Sequence, residues 1–208
     1  AVRAYAYFYL IQLYQQTYIN NQNAPGVPLY SEPTVAGSEG KPRGTVQGVY
    51  DQITADLDKA ANLLQGLTQK HISHIDYYIV KGFQARVAMV MHDYATAAAA
   101  ATEALTKNGL QLATVKQLGG NNDISVVDAM WGVKIIADQS QGTTGFYYHM
   151  DADAPGSYGS KAQQCISTGL YNLIPATDSR LDWFRGALEQ NGTGSNVSYC
   201  QLKFKMAD

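Results

Sequence analysis

Cysteine is scarce in this chain. Cys165 and Cys200 are the only two in 208 residues, with neither a CxxC spacing nor neighbouring histidines. A zinc site and a thioredoxin-like motif therefore lack support, and a disulfide between the pair stays open. An excess of positive charge is missing as well. Fifteen basic residues against seventeen acidic ones give a formal charge of −2, so the basic footprint needed to neutralise phosphates is absent and nucleic acid is set aside as a partner. Long apolar runs are also wanting. The most apolar stretches, near Ala4 to Leu13 and Ile79 to Met91, are bounded or interrupted by Arg3, Gln12, Lys81, Gln84 and Arg86, too short and polar to form a bilayer-spanning helix.

Catalytic motifs are lacking too. There is no GxSxG elbow, no HExxH, no GK[ST] phosphate loop and no GxGxxG after a strand. Asp151-Ala152-Asp153-Ala154-Pro155-Gly156 begins like a calcium loop. Pro155, however, replaces the third oxygen ligand, and Ala162 stands where a bidentate glutamate is required. His71 and His74 are three apart but have no adjacent third ligand and read as exposed polar residues. No metal, cofactor or catalytic residue is expected, although scattered carboxylates leave a glycosidase pair as a residual alternative. Ala1 to Tyr5 already read as a helix in progress, with no cap, signal peptide or lipid-attachment cysteine ahead of them. The expectation is an internal piece of a longer chain.

What the chain does have is 15 tyrosines, rings with a polar tip that suit both helix packing and the apolar faces of sugars. Ala4, Tyr7, Phe8, Ile11 and Tyr14 recur at helical spacing, which predicts a helix over 1–19. The segment 20–43 collects Asn, Gly, Ser and the prolines Pro25, Pro28, Pro33 and Pro42, and reads as a long loop. Thr45 is placed to cap a helix whose stripe of Val46, Val49, Tyr50, Ile53, Leu57, Ala60 and Leu64 runs to Gly66. Ser73-His74-Ile75-Asp76 matches a capping box and predicts a helix from about His74 to Met91. Asp93 is placed to cap another over 94–107, ended by Asn108-Gly109.

These helices pair as hairpins of repeat-scaffold length, and the tetratricopeptide pattern can be laid on them. Ala85, Tyr94, Ala97 and Ala104 take its contact positions in one hairpin, with Ala101 where an aromatic is usual. Ala4, Tyr7, Tyr50 and Ala60 take them in the other, with 20–44 as an insertion. Beyond Gly109 the sequence becomes glycine-rich, aromatic and irregular. There, Ala129 to Ile136 is assigned a short strand and Ala162 to Asn172 a short helix. The organisation expected is repeats over 1–109 and a loop-rich region over 110–208 packed on the same domain.

The order of several fragments resembles the SusD/RagB family of surface nutrient-binding lipoproteins. Arg3-Ala4-Tyr5-Ala6-Tyr7-Phe8 with Leu13-Tyr14 is followed by Ala24-Pro25-Gly26-Val27-Pro28-Leu29-Tyr30, then by Arg43-Gly44-Thr45-Val46 with Tyr50-Asp51-Gln52-Ile53. Ala85-Arg86-Val87-Ala88, Asp93-Tyr94, Thr177-Asp178-Ser179-Arg180 and a basic-aromatic strand from Tyr199 to Phe204 continue the series. Two departures stand out. Gly48 replaces the glutamate of a capping box after Thr45, weakening that helix start by about 1 kcal/mol, and Ser179 replaces a proline. The resemblance implies a mainly α, tetratricopeptide-like scaffold with long irregular loops and a few short strands. It further implies a surface-exposed outer-membrane lipoprotein, lipid-anchored in the full-length protein, that passes a glycan to a SusC-like TonB-dependent transporter without catalysis. A peptide ligand, as in the RagB-like branch, and a scaffold that grips the transporter without touching ligand are the alternatives.

Sugar binding requires aromatic faces beside hydroxyl-bonding polar groups, and 121–158 supplies both. Tyr147, Tyr148, Tyr158, Trp131, Asn122 and Asp151 are the candidate ligand-binding residues, with His149, Asn121, Asp123 and Asp153 nearby. Trp131, flanked by Met130 and Val133, better fits packing but is retained. Trp183-Phe184 and the helical Tyr5, Tyr7 and Tyr9 read as structural, with Asp178 and Arg180 fixing a turn before a short helix.

Overall fold

A computed structural model of the chain describes residues 1–114, 117, 122, 124–134, 139, 142–188 and 197–206. It divides into two compact units, Ala1–Leu110 and Gln111–Asp208, and the architecture is mainly helical with few short strands.

In the first unit, α1 (Val2–Tyr14) buries Ala4, Tyr7, Phe8 and Ile11, the stripe that a period of about 3.6 residues sets on one face. It stops five residues before the expected end. Gln15 is extended, and the chain turns so that Tyr18 enters the core, its ring 4.8 Å from Tyr50 and its hydroxyl donating to Gln47 Oε1 at 2.6 Å. A tertiary contact here overrides local spacing. Within the loop, β1 (Pro25–Pro28) pairs antiparallel with β2 (Arg43–Thr45). Gly26 is required at that crossing, because a Cβ would lie 2.8 Å from the Thr45 carbonyl oxygen.

The ribbon leads into α2 (Val46–Leu64), whose first free backbone donors all find partners. Val46 N–H bonds Ala24 O, Gln47 N–H bonds Gln22 O, and Gly48 N–H bonds the Thr45 hydroxyl at 3.0 Å. The Thr45 cap is therefore made without the missing glutamate. Val46, Val49, Tyr50, Ile53, Leu57 and Ala60 form the centre of the core, and Gly66 ends the helix at φ +77°, in the left-handed region that glycine adopts freely. Arg3 of α1 grips Asp56 of α2 with both Nε and Nη2 at 2.6 Å, and this fork pulls the Asp56 carboxyl below its ordinary pKa.

The third helix, α3 (Tyr77–Val90), begins three residues later than the capping box predicts. Asp76 itself is the cap, accepting from Ile79 N–H at 2.9 Å, while Ser73 bonds the His71 ring instead. The later start lets one buried carboxylate serve two roles, since its other oxygen meets Lys107 Nζ at 2.8 Å. Asp93 caps α4 (Tyr94–Ala104) through Thr96 N–H, and the helix closes before Lys107. Ala85, Ala97 and Ala104 are buried as the repeat pattern requires. Tyr94 is not: it is 57% exposed and stacks on His92.

The second unit is built from short pieces: α5 (Phe146–Met150), α6 (Tyr158–Lys161), α7 (Thr168–Tyr171), and 3-10 turns at Gly142–Thr144 and Ser179–Trp183. Of the single helix expected over 162–172 only α7 forms, and α6 ends at Lys161, just before that range. Between them Cys165 bridges Cys200 in extended backbone, and Ser167 starts α7 afresh by accepting from Leu170 N–H. Residues 129–134 carry no strand; Ala129 N–H instead closes a turn onto Val126 O. The rest of that expected strand, 135 and 136, lies outside the described residues. Phe184 bridges Gln201 from the other side, so the segment 199–202 is the local centre of this unit.

Candidate functional site

Two serines and one glycine bring the aromatic candidates together. Ser157 is buried, caps α6 by accepting from Ser160 N–H at 2.9 Å, and donates its hydroxyl to Asp151 O at 3.1 Å. Ser160 in turn donates to Ser157 O. Gly159 then lets α6 close onto α5, since a Cβ there would sit 2.5 Å from Asp151 O and 2.9 Å from His149 O.

Rings line up on this frame. Tyr158, 55% exposed, lies 5.0 Å from His149, and His149 meets Tyr148 edge-on at 6.0 Å. Phe146, 54% exposed, is edge-on to Tyr147 at 5.3 Å and to Phe204 at 5.1 Å. Tyr148 is half-buried and donates to Gly156 O at 3.0 Å. Such rings offer apolar faces with polar edges in reach, the combination that a sugar ring needs.

Among the polar candidates, Asp151 belongs to the frame itself. Asp151 is only 5% exposed: one carboxylate oxygen accepts from Asp153 N–H and Ala154 N–H, the other from Met206 N–H at 2.7 Å. Its charge is spent on backbone donors rather than presented outward. Asn122 donates its amide to Lys205 O at 3.0 Å, and Trp131 is half-buried. Asn121 and Asp123 lie outside the described residues. Phe146 and Phe204 were not singled out from sequence as ring partners, since they stand 58 positions apart in chain order and no spacing rule joins them.

Charged groups flank this region. Asp153 bonds Arg185 and lies 3.5 Å from Lys205 Nζ. Lys203 Nζ sits 4.3 Å over the Trp183 ring, a cation–π contact. Asp178 caps the 3-10 turn at Arg180 N–H and takes the Arg180 guanidinium, which pulls its pKa down to about 2. Trp183, Asp178 and Arg180 thus have structural partners of their own. Among the described residues no group of three metal-ligating side chains occurs, and no helix is long and apolar enough to cross a membrane.

The first unit carries a groove of about 720 Å³ between α1 and the β1 segment, lined by Tyr7, Leu10, Tyr14, Val27, Pro28 and Tyr30. Its polar edges are already engaged: Tyr7 Oη accepts from Tyr30 N–H, and Arg43 donates to Gly26 O and Pro25 O. It is an apolar surface with little left to bond hydroxyls.

Comparison with known proteins supplies the wider setting. Residues 1–89 match a SusD-like family model described as starch-binding and associating with the outer membrane. No curated protein matches the sequence. Among solved structures, a SusD-like carbohydrate-binding protein from Bacteroides vulgatus matches with a TM-score of 0.79 at 21% identity, over 100% of this chain and 44% of that one. A SusD superfamily protein from Bacteroides thetaiotaomicron matches with a TM-score of 0.70 at 24% identity, over 97% and 44%. A putative sugar-binding protein from Bacteroides vulgatus gives 0.72 at 21% identity, over 99% and 45%. The chain spans less than half the length of these structures. It has the SusD-like fold throughout, and its first 89 residues match the SusD-like family model.

Proposed function

We propose that this chain is the part of a surface nutrient-binding protein that captures a glycan through the rings of α5 and α6 and leaves it chemically unchanged. The observation that carries the reading is the run Tyr148, His149 and Tyr158, in which an exposed tyrosine and an exposed histidine pack at 5.0 Å on a frame fixed by Ser157 and Gly159. The starch-binding description of the family model and the sugar-binding names of the structural neighbours support it. In the whole protein the glycan passes to a SusC-like TonB-dependent transporter, with the protein held at the outer membrane by a lipid anchor. A second reading, docking on the transporter without ligand contact, is favoured by the face of α1 turned away from the core, where Val2 and Leu13 are exposed.

Calorimetric titration with starch-like, plant and host oligosaccharides, each recovered and checked for cleavage, separates these readings. The expected result is saturable binding of one glycan class with no cleavage, weakened about tenfold in Tyr147→Ala and in Tyr148→Ala. Tenfold corresponds to ~1.4 kcal/mol, the scale of one ring contact. Undiminished binding in both variants removes those rings from the site, binding of peptides alone replaces glycan with peptide, and no binding of either supports the docking scaffold.

A further inference from the structure

The cysteine pair has no part in the ring site and has a geometry of its own. Cys165 and Cys200 oppose each other across an antiparallel bridge. The bonds on either side run from Ile166 N–H to Tyr199 O at 3.0 Å and from Gln201 N–H to Gln164 O at 2.8 Å. That pattern defines a non-hydrogen-bonded pair, in which opposed α-carbons lie about 4.5 Å apart and side chains approach most closely. Disulfides join α-carbons separated by roughly 4.4 to 6.8 Å, so the bridge needs no rearrangement of the backbone. Both thiols are free here, Cys165 exposed and Cys200 buried.

Their surroundings are unequal. Burial is the main cause that pushes the Cys200 thiol up, Arg185 opposes it, and the neighbouring Cys165 and Asp153 add to the rise. Cys165 is the sulfur that a solvent-borne reagent reaches.

We infer that Cys165 and Cys200 form a redox-sensitive cross-strand disulfide, closed in two steps with Cys165 reacting first. In the first step, Cys165 loses its proton and attacks a low-molecular-weight disulfide or the disulfide of a thiol oxidoreductase. A mixed disulfide forms and one thiolate leaves. Next, deprotonated Cys200 attacks the Cys165 sulfur and expels the second thiolate. Two protein thiols are oxidised to one disulfide, the reagent disulfide is reduced to two thiols, and the two protons end on those leaving groups. An extracytoplasmic position of the kind proposed above supplies such oxidants and lets the bond persist.

The crosslink acts where the second unit is tied together. Cys200 immediately precedes Gln201, whose amide donates to Met150 O at the end of α5 and whose side-chain oxygen accepts from Phe204 N–H at 3.0 Å. Joining 165 to 200 shortens the list of unfolded conformations and anchors this segment covalently.

The test treats the reduced 208-residue chain with oxidised glutathione at low protein concentration. Intact mass, maleimide labelling under denaturing conditions and tryptic mapping are then read. The expected product has lost two hydrogens, labels at neither cysteine, and yields the Cys165 and Cys200 peptides linked until reductant is added; its melting transition lies above that of the reduced chain. Cys200→Ser should instead stop with one glutathione on Cys165. Wild-type chain that also stops at one glutathione, or that forms only intermolecular dimers, would overturn the inference, and neither readout depends on whether a glycan binds.

Discussion

Replacing Tyr50 with alanine is expected to destabilise the chain by about 3–5 kcal/mol, the range for deleting a buried aromatic ring. Tyr50 is 2% exposed and sits where α2 meets the segment after α1, with the Tyr18 ring edge-on at 4.8 Å. Truncation leaves a ring-sized void beside Tyr18 in a core that also holds Val46, Val49 and Ile53, and a close-packed core relaxes only partly to fill it. Urea unfolding checks it, and a loss below about 1 kcal/mol would show that the core is organised elsewhere.

The same side chain has a pH signature. Burial, with a smaller contribution from Tyr18, pushes its phenol up to about 12, whereas an unfolded tyrosine titrates near 10. The folded state therefore holds the proton over that interval. Its stabilising contribution is complete below about pH 10 and is lost as pH rises toward about 12. Tyr50→Phe should keep the core and remove that alkaline loss.

The second large effect concerns Gly159. Alanine there is expected to cost about 1–3 kcal/mol, because its methyl meets fixed backbone rather than a flexible side chain. The clash is with the carbonyl oxygens of Asp151 and His149, so relief requires α6 to move off α5, and the Tyr158 ring must then leave His149. A coupled result is expected: a lowered second-unit transition together with weaker glycan binding. Stability and affinity would be followed by near-UV circular dichroism and calorimetry. An unchanged transition with unchanged affinity would mean that the two helices are not locked as described.

Much of the first unit was legible because its helices carry their own instructions. The α2 stripe, the Thr45 and Asp93 caps and the Gly66 stop are local signals, and each appears in the structure. Misplacements arose where a distant residue intervened. Tyr18 ended α1 early by reaching Tyr50, and Lys107 drew the start of α3 to Asp76. Tyr94 shows the limit of a repeat template, since the alanine-rich face of α4 packs without it.

The second unit was less legible for a related reason. Its elements are three to five residues long and draw their order from pairings such as Phe146 with Phe204, Asn122 with Lys205 and Cys165 with Cys200, none of which leaves a period in the sequence. Aromatic abundance drew notice to Tyr147, Tyr148 and Tyr158, but it could not distinguish Asp151, a carboxylate consumed by three backbone donors, from one that faces outward. Burial and partner count, available only in three dimensions, make that distinction.

The most direct measurement compares two tyrosines of nearly equal exposure, Tyr158 at 55% and Tyr94 at 57%, in one calorimetric titration with the glycan class that the chain binds best. Tyr158→Ala is predicted to weaken binding at least about tenfold, ~1.4 kcal/mol, while Tyr94→Ala leaves it unchanged and both variants melt like the parent. Equal affinities in the two variants, or a loss confined to Tyr94→Ala, would contradict the placement of glycan capture on α5 and α6.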